Sequence, residues 1–268
     1  MFNLIKGELL KLRYGKNYRN LLIIIGVCIF LTIILSIVAP NFNLHLFYNF
    51  TPERNYGFTF NIFKDNLNPM GVEYFKSAMG LMIIVLIISL SLVGDLVAKD
   101  YQRGVNKDSI SYGHNRINIY IAKSITIYIG ITILITLLLG GSTIVGSILK
   151  GFGVEFNIQI VLSMVKFALL LSLVMLSFAS IFMVIAVITK SKSNVIAIGM
   201  FFIMLTTFIA GENNLFIFNK NNPIYMLMDI CEQNPSIETV KHMILSCITT
   251  ITLCTIIGSL TFKNQDIK

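Results

Sequence analysis

Six apolar runs alternate with polar segments along the chain, at 21–39, 78–98, 124–149, 167–189, 195–210 and 243–262. The hydrocarbon core of a bilayer, about 30 Å thick, takes roughly 20 helical residues at about 1.5 Å of rise each. Five runs meet that length. The fifth, 195–210, reaches only about 24 Å and opens into Gly211-Glu212-Asn213-Asn214 before a second apolar patch, Leu215-Phe216-Ile217-Phe218. A helix ending inside the membrane is expected there. Barrel strands are excluded, because they would read as alternating segments of about 10 residues. The pattern predicts an all-α integral membrane chain, one domain over 1–268, with six transmembrane helices.

The polar segments fill in the layout. Residues 1–19 carry five basic side chains, and Phe2, Ile5, Leu9 and Leu12 share a helical face that Leu4 and Leu10 leave. This reads either as an interfacial helix on the inner leaflet, with Lys6, Lys11, Arg13 and Lys16 against anionic lipid, or as a basic flank that only sets orientation. No small-residue cleavage site follows Ala39, so the segment is expected to be retained. The loop 40–77 is crowded with aromatics, among them Phe42, Phe47, Tyr48, Phe50, Tyr56, Phe58, Phe60, Phe63, Tyr74 and Phe75. These form either a compact lid packed on itself or an interfacial surface for amphipathic cargo. The loop 211–242 contains Asn222-Pro223-Ile224-Tyr225.

The segment 99–123 is the most charged interruption of the apolar body. Its residues predict a short helix beginning near Asp100, broken at Gly104, restarted at an Asn106 or Asp108 cap, and closed by Gly113 in a left-handed stop. Asn115 is then placed to cap the third span. An element fixed to two spans transmits force to both, which a slack linker does not.

Composition agrees with the pattern: 55% hydrophobic residues, 13% charged and a mean hydropathy of +0.79 lie outside the soluble range. The formal charge of +8 is explained by topology rather than by nucleic acid. Of the 21 basic residues, 14 fall on the side that holds both termini and the segment 99–123, against five acidic residues there. The positive-inside bias makes that side cytoplasmic.

Catalytic signatures are missing: there is no G-x-x-x-x-G-K-[ST], H-E-x-x-H or G-x-S-x-G. Gly141 to Gly146 has the glycine spacing of a phosphate loop but lies in an apolar helix, where close helix packing is the expected role. The four cysteines, Cys28, Cys231, Cys247 and Cys254, show no C-x-x-C spacing, and the three histidines fall on different loops. No metal or cofactor site is expected. Charged residues near membrane depth are few, namely Asp95, Lys166 and Glu212, and none sits at a helix midpoint, which argues against an ion-coupled carrier.

Asp100, Gly104, Ser111, Gly113, Arg116 and Lys123 together resemble the first cytoplasmic loop of type-2 ABC exporter permeases. There an acidic residue, often Glu, precedes a Gly-Thr pair, and the loop holds the helix that docks on the ATPase; this chain has Asp100 for the Glu and Val105 for the Thr. The resemblance covers the whole chain, and implies short re-entrant helices between spans five and six, with Glu212, Pro223 and Tyr225 as candidate outer-gate residues. It implies a coupling helix between spans two and three, with Asp100, Arg103, Gly104, Lys107, Gly113 and Arg116 as docking residues. For each of its charges the other reading is a topology-setting residue that touches no partner. The implied partners are a second permease copy, more a homodimer than a heterodimer, and a separate nucleotide-binding ATPase that carries ATP and Mg. Small six-span permeases of this kind look like those of bacitracin-resistance, lantibiotic-immunity and cytolytic-peptide export systems in Gram-positive bacteria, so amphipathic peptide is the expected cargo and the bacterial cell membrane the expected location. Other readings are an ion-coupled carrier or membrane enzyme, a non-transporting immunity or scaffold protein, or an exporter of lipid, drug or ion.

Overall fold

The structure, a computed structural model, describes residues 1–50, 55–61, 63, 68–153, 157–210, 221–231 and 235–265. The chain opens with α1 (Phe2–Tyr14) and α2 (Lys16–Val38), followed by an antiparallel hairpin of β1 (Leu44–Phe50) and β2 (Asn55–Phe60). Then come α3 (Gly71–Met79), α4 (Met82–Val93), a π-helical turn (Gly94–Ala98), α5 (Lys99–Gln102) and α6 (Val105–Ser111). Three long helices follow, α7 (Arg116–Lys150), α8 (Ile158–Thr189) and α9 (Lys192–Ala210), then a short α10 (Pro223–Cys231) and α11 (Ile237–Asn264).

Five helical stretches among the described residues are long and apolar enough to cross a membrane: Lys16–Val38, Met82–Gln102, Arg116–Lys150, Ile158–Thr189 and Ile237–Asn264. The short fifth apolar run falls in α9, a shorter apolar helix. Three helices begin well before their apolar runs, because polar caps rather than hydropathy set their starts. Asn115 Oδ1 accepts from Ile117 N at 3.0 Å, Asn157 Oδ1 from Gln159 N at 2.9 Å, and Ser236 Oγ from Thr239 N at 3.2 Å. The second run is not one continuous α-helix. It breaks near Gly80, where the β2 backbone at Thr59 lies against the glycine, and widens into the π-turn before α5.

The expectation of a purely helical chain is corrected by the hairpin in the loop 40–77. Its register pairs Leu44 with Phe60 and Phe50 with Asn55, with an irregularity between Leu46 and Asn49. Phe58, Phe60, Phe63, Tyr74 and Phe75 are buried, and the Phe63 and Tyr74 rings lie 5.4 Å apart. Phe58, Phe60 and Phe75 join the core of the bundle, and Tyr74 packs on α7, so these aromatics are buried against the helices.

The core is organised around α7. α2 runs parallel to it, with Tyr18 Oη donating to Gly130 O at 3.1 Å and Ile29 beside Gly141. α3 packs on the far end, where the Tyr74 ring covers Gly146. The Gly141 to Gly146 pair therefore admits neighbouring helices, as its apolar setting predicted. α8 and α11 complete the bundle, with Phe178, Phe182 and Phe262 fully buried.

Candidate functional site

The loop between α4 and α7 is built by local chemistry. The π-turn is marked by Lys99 N donating to Gly94 O, five residues back. α5 stops at Gly104, whose φ of 72° is left-handed and open to glycine without steric cost. α6 restarts directly at Val105, not at an Asn106 or Asp108 cap; Lys107 N and Asp108 N bond to Gly104 O at 2.9 and 3.3 Å. Gly113, with φ of 83°, closes α6: its N–H donates to Ile110 O at 2.9 Å and His114 N–H to Ser109 O at 3.4 Å. This pair of bonds is a Schellman stop.

Each end of the loop is fastened. At the exit, Arg116 Nη1 donates to Lys263 O at 2.8 Å and Gln265 O at 2.7 Å, and so satisfies carbonyls at the negative end of α11. Gln265 Nε2 in turn donates to Val187 O of α8 at 3.0 Å. On α5 the Tyr101 ring lies edge-on to Phe262 at 5.5 Å, and the Lys190 ammonium stands 5.6 Å over it.

At the entry lies a ring of charges. Lys123, on the second turn of α7 and only 1% exposed, donates to Glu8 Oε1 at 3.2 Å, to Leu96 O in the π-turn at 2.9 Å, and to Asp100 Oδ2. Lys11 completes the ring, 2.9 Å from the same Glu8 oxygen and 3.0 Å from the same Asp100 oxygen. Two carboxylate oxygens thus alternate with two ammoniums. Burial alone would lower the Lys11 pKa, but the Glu8 and Asp100 carboxylates outweigh it and hold the pKa above 10.5. One turn back, Asp95 Oδ1 meets Lys192 of α9 at 2.7 Å and Lys99 at 3.4 Å.

The residues singled out from sequence divide accordingly. Arg103, Lys107 and Gly113 are exposed on the loop, and Gly104 is half-buried. Asp100 turns inward to the ring, and the half-buried Arg116 is engaged by α11, so neither offers its charge freely to a partner. Of the basic residues of 1–19, Lys6, Arg13 and Lys16 are exposed, whereas Lys11 is tied into the ring. The packed face of α1 is also shifted: Glu8 and Leu12 are buried and Leu4 and Leu9 pack on the core, while Phe2 is 80% exposed. Pro223 opens α10, capped by Asn222, whose Oδ1 accepts from Ile224 N at 3.0 Å and whose Nδ2 donates to Thr206 O at 2.8 Å. Tyr225 lies half-buried on that helix. Glu212 lies outside the described residues.

Sequence reasoning missed the ring itself, and buried Asp229 of α10 as well. Lys123 entered the sequence reading as part of the loop's pattern, with no ionic partner assigned to it. The available signal was its place inside the helix that Asn115 starts, where its side chain must face neighbours.

Among the described residues, fold and site define a helical membrane protein with a β-hairpin and a polar loop latched to the bundle by buried charges. Residues 24–268 match the family described as "Protein of unknown function (DUF2705)", and the chain belongs to it. No curated protein matches the chain.

Proposed function

We propose that this chain is the membrane-spanning permease subunit of an ATP-driven ABC exporter that moves amphipathic peptides. The observation that carries the reading is the construction of the loop: a seven-residue helix between two left-handed glycines, exposed at Arg103 and Lys107 and fastened at both ends to the bundle. A partner pressing on α6 displaces α7, α11 and the second apolar segment together. In this reading six helices span the cell membrane of a bacterium, α9 being the fifth. The two termini are cytoplasmic, in keeping with the excess of basic residues on their side. α10 is the re-entrant element before the last span. Two copies pair, and each docks one separately encoded ATPase that binds ATP and Mg. ATP-driven closure of the ATPases then shifts the spans between inward- and outward-facing states.

The test is co-purification of the chain with a nucleotide-binding ATPase subunit from the same cell, followed by peptide transport in inverted vesicles. The double variant Arg103→Glu/Lys107→Glu, changed only at exposed positions, is expected to lose the ATPase at least tenfold while still folding. Equal retention of the ATPase by variant and wild type rules out docking at α6. A second reading, an ion-coupled carrier, draws support from the buried charges at the helix ends, since such groups mark ion pathways in membranes. It predicts transport driven by a pH gradient in vesicles that contain this chain alone.

A further inference from the structure

We infer that Lys123 is a positioning residue that makes α1 a third arm of the loop, so that motion of the loop reaches α2 as well as the two spans it joins. The inference rests on the permease reading for its functional part. Covalent connection ties the loop to α4 and α7, but α1 lies 89 residues before Asp100 at Lys11 and meets the loop through the ring of charges. Lys123 alone touches three separate elements there: Glu8 of α1, Asp100 of α5 and the Leu96 carbonyl of the π-turn. An ammonium has three donors, and these three bonds use them all. Withdrawing any one element leaves a buried cation short of a partner, which is costly where water is excluded. The three elements therefore stay together or separate together, the two-state behaviour that carries motion between distant parts of a protein. The π-turn lies at the joint, where a turn wider than α gives the helix slack in register. On the other side α1 passes through the extended Gly15 directly into α2, so a displaced α1 pulls on a membrane-crossing helix.

The competing explanation is that Lys123 only neutralises carboxylates. The variants Lys123→Met and Lys123→Met/Glu8→Gln separate the two, because the double variant removes one charge of each sign and leaves the Lys11–Asp100 pair between α1 and α5 intact. In proteoliposomes with the ATPase, the single variant is expected to lose thermal stability and the double variant to regain most of it. Both are expected to move at least tenfold less peptide per ATP hydrolysed. A double variant that moves as much peptide per ATP as wild type overturns the inference. Spin labels at the exposed positions Phe2 and Tyr112 report on the chain alone: a narrow distance distribution in wild type is expected to broaden in the double variant. If wild type binds no ATPase the permease reading fails, and the spin-label distances still decide whether Lys123 joins α1 to the loop. Unchanged distances reject it.

Discussion

Asp95 and Asp100 stand five residues apart, at either end of the same widened turn, and each carboxylate meets two lysine ammoniums. The cations make them different. Lys192 and Lys99, on Asp95, keep 29% and 36% of their side chains exposed, so they return to water if the contact breaks. Pairs of that kind contribute about 0–1 kcal/mol. Lys123, on Asp100, is buried in the bundle and has no such refuge. Removing a partner from a buried pair costs about 3–5 kcal/mol, because the remaining charge is stranded. The same local pattern of one acid and two lysines therefore trims the surface in one case and fixes three elements in the other.

The largest expected effect follows directly. Asp100→Asn should destabilise the detergent-solubilised chain by about 3 kcal/mol, the low end of that range because Glu8 remains on Lys123, whereas Asp95→Asn should stay within about 1 kcal/mol. Thermal unfolding monitored by circular dichroism reads both, and equal losses would break the comparison. A smaller effect is expected at Gly104, which sets the angle at which α5, carrying Asp100, turns into α6. Gly104→Val should cost about 1–2 kcal/mol, since a left-handed φ strains a side chain, although open space surrounds the position. Gly104→Asn should cost less. A fully tolerated valine would mean that the turn relaxes without disturbing the ring.

The smallest effect is one of pH. The raised pKa of Lys11 means that its contribution is complete below the ordinary value of 10.5 and is lost as pH climbs through the higher folded value. The spin-label distance between α1 and α6 should stay narrow from pH 8 to 10.5 and broaden only above that. Broadening near pH 8 would show that Lys11 does not hold the ring closed.

What could be read from the sequence is what local chemistry decides. The break at Gly104, the stop at Gly113 and the cap at Asn115 depend on residues within one turn of themselves, and all three are present. Five of the apolar runs fall in helices long and apolar enough to cross a membrane, but the starts of α8 and α11 were misjudged because the Asn157 and Ser236 caps open those helices outside the runs. The partner of Lys123 on α1 was illegible because Glu8 is 115 residues away, and no pattern near either residue signals the other. The face of α1 was misplaced for the same reason, because it was drawn through Phe2, Ile5, Leu9 and Leu12 with no sign that Glu8 has a buried partner. The hairpin was hidden because residues 44–50 read L-H-L-F-Y-N-F, in which the apolar and polar alternation that announces a strand lapses at Phe47-Tyr48.

The separation between Glu8 and Lys123 has a consequence for synthesis. At about 5–20 residues per second, α1 emerges roughly 6–23 seconds before the ammonium that will hold it. Until then its carboxylate has only Lys11, three residues on, for company. The exposed Lys6 and Arg13 are expected to let the waiting helix rest on an anionic membrane surface, which would give the basic side of α1 a use in the nascent chain before the ring of charges closes.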